Sequence, residues 1–267
     1  MNLTTTTPPG SIVVGVDGSD ASRQALQWAA DQAALEGRPL FLVHVVDSIS
    51  GPEGAAASTV LHEAAVVVEW REPDVEVHAS SEVGHAGQIL LDHAERASLL
   101  VVGSRGRGRA RSVLFGSVSV AVGTRAACPV VVVRPHHPGI PRRGALVAVD
   151  TAAESRMPLE FGYRMASTHG LPLTVLHCVP DDDVENHERE LAELVAGMTE
   201  KFPDVHMRRR LTRMRVSEGV LDQAVDMNLV VVGRHHRANR AGRGIGTLAA
   251  NVIEHGACAV AVVPSAG

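Results

Sequence analysis

The chain is 267 residues long, with 45% apolar residues, 21% charged residues and a net charge of −5, a composition that buries a core and gives no global attraction to nucleic acid or anionic lipid. Aromatic residues make up only 3%, too few for a platform that stacks single-stranded bases. Among 25 basic residues Lys201 is the single lysine, which excludes the lysine-bearing phosphate loop of P-loop NTPases, Schiff-base chemistry and kinase-type chemistry.

Residues 1–10 are polar, with a run of threonines before Pro8 and Pro9, and are expected to form a flexible N-terminus. They have neither the basic start nor the apolar run of a secretory leader. Residues 12–16, a continuous apolar run, predict a buried parallel strand. Ser19 or Asp20 caps a helix that carries Ala25, Leu26, Ala29 and Ala33 on one face and stops at Gly37. Strand 40–46, helix 53–70, strand 75–80, helix 88–96, strand 99–103, a glycine-rich loop over 103–116, helix 117–125 and strand 130–133 follow. That alternation predicts a parallel sheet with helices on both faces.

The pattern then repeats. Asp17 and Asp150 each end an apolar run and lie 133 residues apart, as do His44 and His177. Gly103 and Gly233, Gly116 and Gly246, and Cys128 and Cys258 lie 130 apart. A repeat of this length is a duplicated domain, not a solenoid. The expected organisation is domain 1 over 11–134, a Pro- and Gly-containing linker over 135–143, and domain 2 over 144–267.

Open parallel sheets bind ligands at the carboxyl ends of their strands, where strand order reverses. Two features fall at such ends in the first copy. Gly15, Val16, Asp17, Gly18 and Ser19 close its first strand; Gly103, Ser104, Arg105, Gly106, Arg107, Gly108 and Arg109 close its fourth and lead to Gly116 and Ser117 at a helix start. Glycine lets backbone N–H groups approach phosphate oxygens, and a helix N-terminus adds unpaired N–H groups. Arginines supply charge in place of lysine. Asp17 can accept hydrogen bonds from ribose hydroxyls or help hold a metal on phosphates. These parts make a nucleotide pocket with no evident catalytic base.

The spacing Gly103-x2-Gly106-x9-Gly116-Ser117 is that of the ATP-binding universal stress proteins, and the chain resembles this family also in its Gly15-x-Asp17-Gly18-Ser19 turn, its Val43-His44-Val45-Val46 strand and its Cys128-Pro129 entry to the closing strand. The resemblance covers about residues 11–134 and 144–264. It implies two tandem Rossmann-like α/β domains, each a five-stranded, mostly parallel sheet, with the first strand beside the fourth. It implies ATP as the ligand, with Mg2+ as an optional companion. Gly15 and Asp17 would sit at the ribose or metal end and Val45 at the adenine. Gly103, Ser104, Arg105, Gly106, Arg107, Gly108 and Arg109, with Gly116, Ser117 and Val118, would hold ribose and phosphates. It also implies closing strands that pair as an internal pseudo-dimer, with a homodimer of chains and a regulatory protein partner as further expectations.

The second copy departs from the motif. Asp150, Gly233, Arg234, His236, Arg237, Gly246 and Thr247 are its possible nucleotide-binding residues, but His236 stands at the second glycine position and Thr151-Ala152 replaces Gly18-Ser19. A side chain there crowds the phosphates or blocks a positive φ. His44 and His177 lie inside apolar strands and are expected as satisfied core histidines. Arg208, Arg209 and Arg210 are expected to protect a sheet edge. Cys128, Cys178 and Cys258 are too few for a disulfide framework or a zinc site, and no apolar run reaches the ~20 residues of a membrane span, so a cytoplasmic, membrane-free setting is expected. Three functions remain open: an ATP-binding stress-response module without strong catalysis, a slow Mg-dependent ATP hydrolase or nucleotidyl transferase, and a nucleotide-free protein-interaction module.

Overall fold

In the computed structural model the chain divides into two units, residues 1–135 and 136–267. The structure describes residues 2–46, 51–106, 117–135, 142–150, 153–179, 183–234 and 247–265, with the backbone alone at 51–56, 153 and 247.

The first unit runs β1 (Asn2–Leu3), β2 (Ile12–Gly15), α1 (Asp20–Glu36), β3 (Leu40–Val46), α2 (Gly51–Arg71), β4 (Val77–Val83), α3 (Ala86–Ala94), β5 (Leu99–Gly103), α4 (Ser117–Arg125) and β6 (Val130–Val133). Every pairing is parallel, in the lateral order β1-β4-β3-β2-β5-β6. The apolar runs are buried on both faces: Ile12, Val13, Val14, Phe41, Leu100 and Val101 have no exposed surface. Because parallel crossovers are right-handed, α1 and α2 cover one face and α3 and α4 the other, and each pair packs side by side. Ser19 caps α1 by accepting from the Ser22 N–H at 3.2 Å, and Gly37 ends it at φ +61°, a conformation that suits glycine.

Two expectations are corrected. The third strand extends past Ser80 to Val83. Its polar residues hid it, but Ser81, Glu82 and Val83 pair with His44, Val45 and Val46. Residues 1–10, expected to be flexible, strap the unit instead from Asn2 onward. Asn2 and Leu3 pair with His78 and Ala79 as a sixth strand, and the Thr4 N–H donates to Ala79 O at 3.1 Å. Buried Thr7 bonds His93 Nδ1 at 2.6 Å, and His93 Nε2 bonds Glu82 Oε1 at 2.6 Å. The carboxylate can only accept unless protonated, so Nε2 carries a proton and donates to Glu82. The Gly10 N–H then donates to Arg96 O at 2.9 Å. The strap is held by backbone pairing and one buried polar chain, so it has no hydrophobic period to read.

The second unit runs β7 (Ala145–Val149), a 3-10 turn (Ala153–Ser155), α5 (Arg156–Thr168), β8 (Leu173–Cys178), α6 (Val184–Val195), α7 (Met198–Lys201), β9 (Met207–Thr212), α8 (Val216–Ala224), β10 (Leu229–Arg234), α9 (Thr247–His255) and β11 (Ala259–Pro264). Its order is β9-β8-β7-β10-β11, again all parallel. The registers repeat: Leu40 opposite Val77 becomes Leu173 opposite Met207. The core histidines repeat as well. His44 Nδ1 donates to Val16 O at 2.6 Å and His177 Nδ1 to Val149 O at 3.0 Å, both buried. Cys128 and Cys258 are both buried.

Candidate nucleotide site

In the first unit the chain order reverses between β2 and β5, which lie side by side with Val14 opposite Val101. Their carboxyl ends carry the Asp17 turn and the start of the glycine loop. The Asp17 carboxylate is set by its own turn: Oδ1 accepts from the Ser19 N–H at 2.9 Å, while the Asp17 N–H donates to Ser22 Oγ at 3.3 Å. The other oxygen faces the loop. A Cβ built on Gly106 would stand 2.7 Å from Asp17 Oδ2, closer than real Cβ atoms approach. The first glycine is required for a different reason. A Cβ on Gly103 would meet the Ala21 backbone carbon and oxygen at 2.7 and 2.8 Å, at the first turn of α1. One glycine thus lets β5 end against a helix, and the other lets the chain turn over a carboxylate.

Ser104 is buried, and its N–H donates to Val133 O at 2.9 Å, which ties the loop to β6. Ser19 Oγ reaches Arg105 O at 3.5 Å, a long contact between the two turns. Arg105 and Gly106 are exposed. Gly15 and Val45 are half-buried at neighbouring strand ends, and Val45 projects from the face of β3 opposite to that of His44. Ser117 is exposed at the first position of α4, followed by half-buried Val118. Arg107, Gly108, Arg109 and Gly116 lie outside the described residues. The structure therefore brings Gly15, Asp17, Gly103, Ser104, Arg105 and Gly106 together. Ser22 and Ala21, which hold Asp17 and abut Gly103, were not singled out from the sequence. The recurrence of Ser22 as Ser155, again 133 residues on, is the signal that points to the first of them.

The second unit handles its carboxylate differently. Ser155 Oγ donates to Asp150 Oδ1 at 2.6 Å, whereas the Ser22 hydroxyl donates to Ser19 O at 3.0 Å. Gly233 and Arg234 are buried at the end of β10, and Arg234 stands where the first unit has the buried Ser104. His236, Arg237 and Gly246 lie outside the described residues, and of Thr247 only the backbone, opening α9, is described. Among the described residues no three His, Cys, Asp or Glu side chains converge as metal ligands, and no helix is long and apolar enough to cross a membrane.

The first unit's site fits a nucleotide on its own geometry. An exposed glycine turn, a carboxylate aimed at it and a helix N-terminus lie at one switch point, and the space at Gly106 is one a Cβ would fill. Comparison with known proteins gives the family. The model of the universal stress protein family matches residues 10–134 and again 142–264. A universal stress protein of Mycolicibacterium smegmatis is 31% identical over 285 residues, covering 94% of this chain and 96% of that protein. One from Mycobacterium tuberculosis is 30% identical, covering 91% and 92%. The crystal structure of a universal stress protein from Archaeoglobus fulgidus aligns with a TM-score of 0.73 at 18% identity, over 95% of this chain and 98% of that one. At that identity it bears on the fold alone.

Proposed function

The chain belongs to the universal stress protein family, and on that footing we propose that its first unit is an adenine-nucleotide module that holds ATP and acts through its nucleotide-bound state. The observation that carries the reading is the Gly106 turn laid over the Asp17 carboxylate. In this reading Asp17 accepts from ribose hydroxyls or shares a divalent cation. Val45 faces the base, and the loop from Gly103 with Ser117 and Val118 takes the phosphates through backbone N–H groups and arginine. Bound Mg2+ would supply charge neutralisation at the phosphates. Holding is favoured over cleaving. The only lysine, Lys201, pairs with Glu160 in the other unit, and the loop offers donors but no evident general base.

Calorimetric titration of nucleotide-stripped protein with ATP tests this. Binding in the micromolar range is expected, with a loss of tenfold or more in Gly106→Ala, whose methyl group must displace the Asp17 carboxylate. Affinity no tighter than millimolar, or unchanged affinity in the variant, rejects the reading. Single-turnover hydrolysis with Mg2+ separates holding from catalysis; a rate well above the uncatalysed one would restore the hydrolase reading.

A further inference from the structure

The strap of the first unit occupies a place that the second unit also builds. By register β9 corresponds to β4, and α8 correspondingly to α3. The correspondence extends to the strap's last anchor: the Gly10 N–H donates to Arg96 O at 2.9 Å, and its counterpart Arg143 N–H donates to Asp226 O at 2.7 Å. Beyond that anchor the described residues of the two units part, and residues 136–141, the counterparts of 3–8, lie outside them. In the first, Thr7 seats on His93, and Asn2 and Leu3 pair with His78 and Ala79. In the second, the positions of His78, Ser80 and His93 are held by Arg208, Arg210 and Gln223. These residues, with Arg143, Asp222 and Asp226, line a groove of about 320 Å³ beside β9, the last strand on its side of the sheet.

We propose that this groove docks an extended acidic segment of a partner protein, added to β9 as a parallel strand. The shape argument comes from within the chain: the same groove, built by the same elements, is filled in the first unit by an extended segment pairing in parallel. The chemical argument is the charge that replaces the strap's contacts. Arg208 and Arg210 are exposed and two residues apart, so they project from the same face of β9 as the groove. Arg208 Nε donates to Thr174 Oγ1 at 2.8 Å, which fixes that side chain along the sheet. Asp226 is paired with Arg143 at 3.0 Å. An arginine-bearing edge repels basic strands and gives a neutral one nothing to pair with, whereas carboxylates opposite these positions gain cross-strand pairing in addition to backbone hydrogen bonds. In the first unit Asn2 lies opposite His78 and Thr4 follows two residues on, so the acidic residues of the incoming strand belong at alternate positions.

The probe is a fluorescent six-residue peptide, Glu-Leu-Glu-Thr-Thr-Thr, which is segment 2–7 with acid at its first and third positions, titrated into the full chain by anisotropy. Saturable binding is expected, weakened at least tenfold in the Arg208→Glu, Arg210→Glu double variant. Both positions are exposed, and an unchanged melting temperature confirms that the variant folds. Methylating the backbone nitrogen of the peptide's third residue, which stands where the Thr4 N–H donates to Ala79 O, should abolish binding; equal binding means simple charge attraction and overturns strand addition. Equal binding of the neutral segment Asn-Leu-Thr-Thr-Thr-Thr points to exchange with a second copy and overturns the acidic preference. Displacement of the peptide by an RNA oligonucleotide at lower concentration overturns a protein partner, and absence of binding overturns the site.

Discussion

Gly103 and Gly106 illustrate how two residues of one motif answer to different constraints. The neighbour of Gly103 is backbone, which cannot swing aside, so Gly103→Ala should cost about 1–3 kcal/mol of stability, read from the urea midpoint. The neighbour of Gly106 is a carboxylate that can rotate, so Gly106→Ala should leave that midpoint nearly unchanged while weakening ATP. A third residue matters for pH. Tyr163 has no exposed surface, and its hydroxyl has no hydrogen-bond partner. Burial raises its pKa above the usual 10.0, and burial likewise raises that of the Cys178 thiol above 9.0. A group with a raised folded pKa gives stability that is whole below its unfolded pKa and is lost as pH climbs through the folded one. The alkaline limb of the stability profile should therefore fall from about pH 9 upward. Tyr163→Phe should make that fall shallower and raise stability near neutrality by about 1 kcal/mol, since it removes an unsatisfied buried polar group.

At the scale of elements, much was legible because apolar runs and helix caps are local. Strands 40–46, 99–103 and 130–133 and helix 117–125 stand where hydrophobic runs and the glycines predict them. The proximity of Asp17 to Gly106 was legible only through the family resemblance, which implied the first strand beside the fourth. What escaped was held together by residues far apart in sequence. Thr7, Glu82 and His93 come from the N-terminal segment, a strand and a helix, and nothing in their local sequence announces that they meet. His93→Ala should cost about 2 kcal/mol, because it strands a buried hydroxyl and leaves Glu82 without its ring partner. Amide exchange at Thr4 should quicken with it. If exchange there is unchanged, the strap does not depend on this polar chain. At β9, which among the described strands pairs with β8 alone, the positions of His78 and Ser80 carry arginine.

For the whole molecule, duplication gave two cores but two unequal sites. The second carries His236 at a glycine position, a carboxylate engaged by Ser155 and a buried Arg234. We expect ATP to bind with a stoichiometry of one per chain. At one hundred times its dissociation constant it should stabilise the first unit by about 2.7 kcal/mol and leave the unfolding of the second where it was. A stoichiometry of two would show that a histidine is tolerated at that position. The repeated bond from His44 to Val16 O and from His177 to Val149 O also gives each half its own spectroscopic reporter. Both rings hold the proton on Nδ1 against a carbonyl, so the nitrogen-15 signals assigned to His44 and His177, one in each unit, should report a protonated Nδ1. Each signal should vanish when its own half unfolds, which lets the fate of the two copies be followed separately in a single sample.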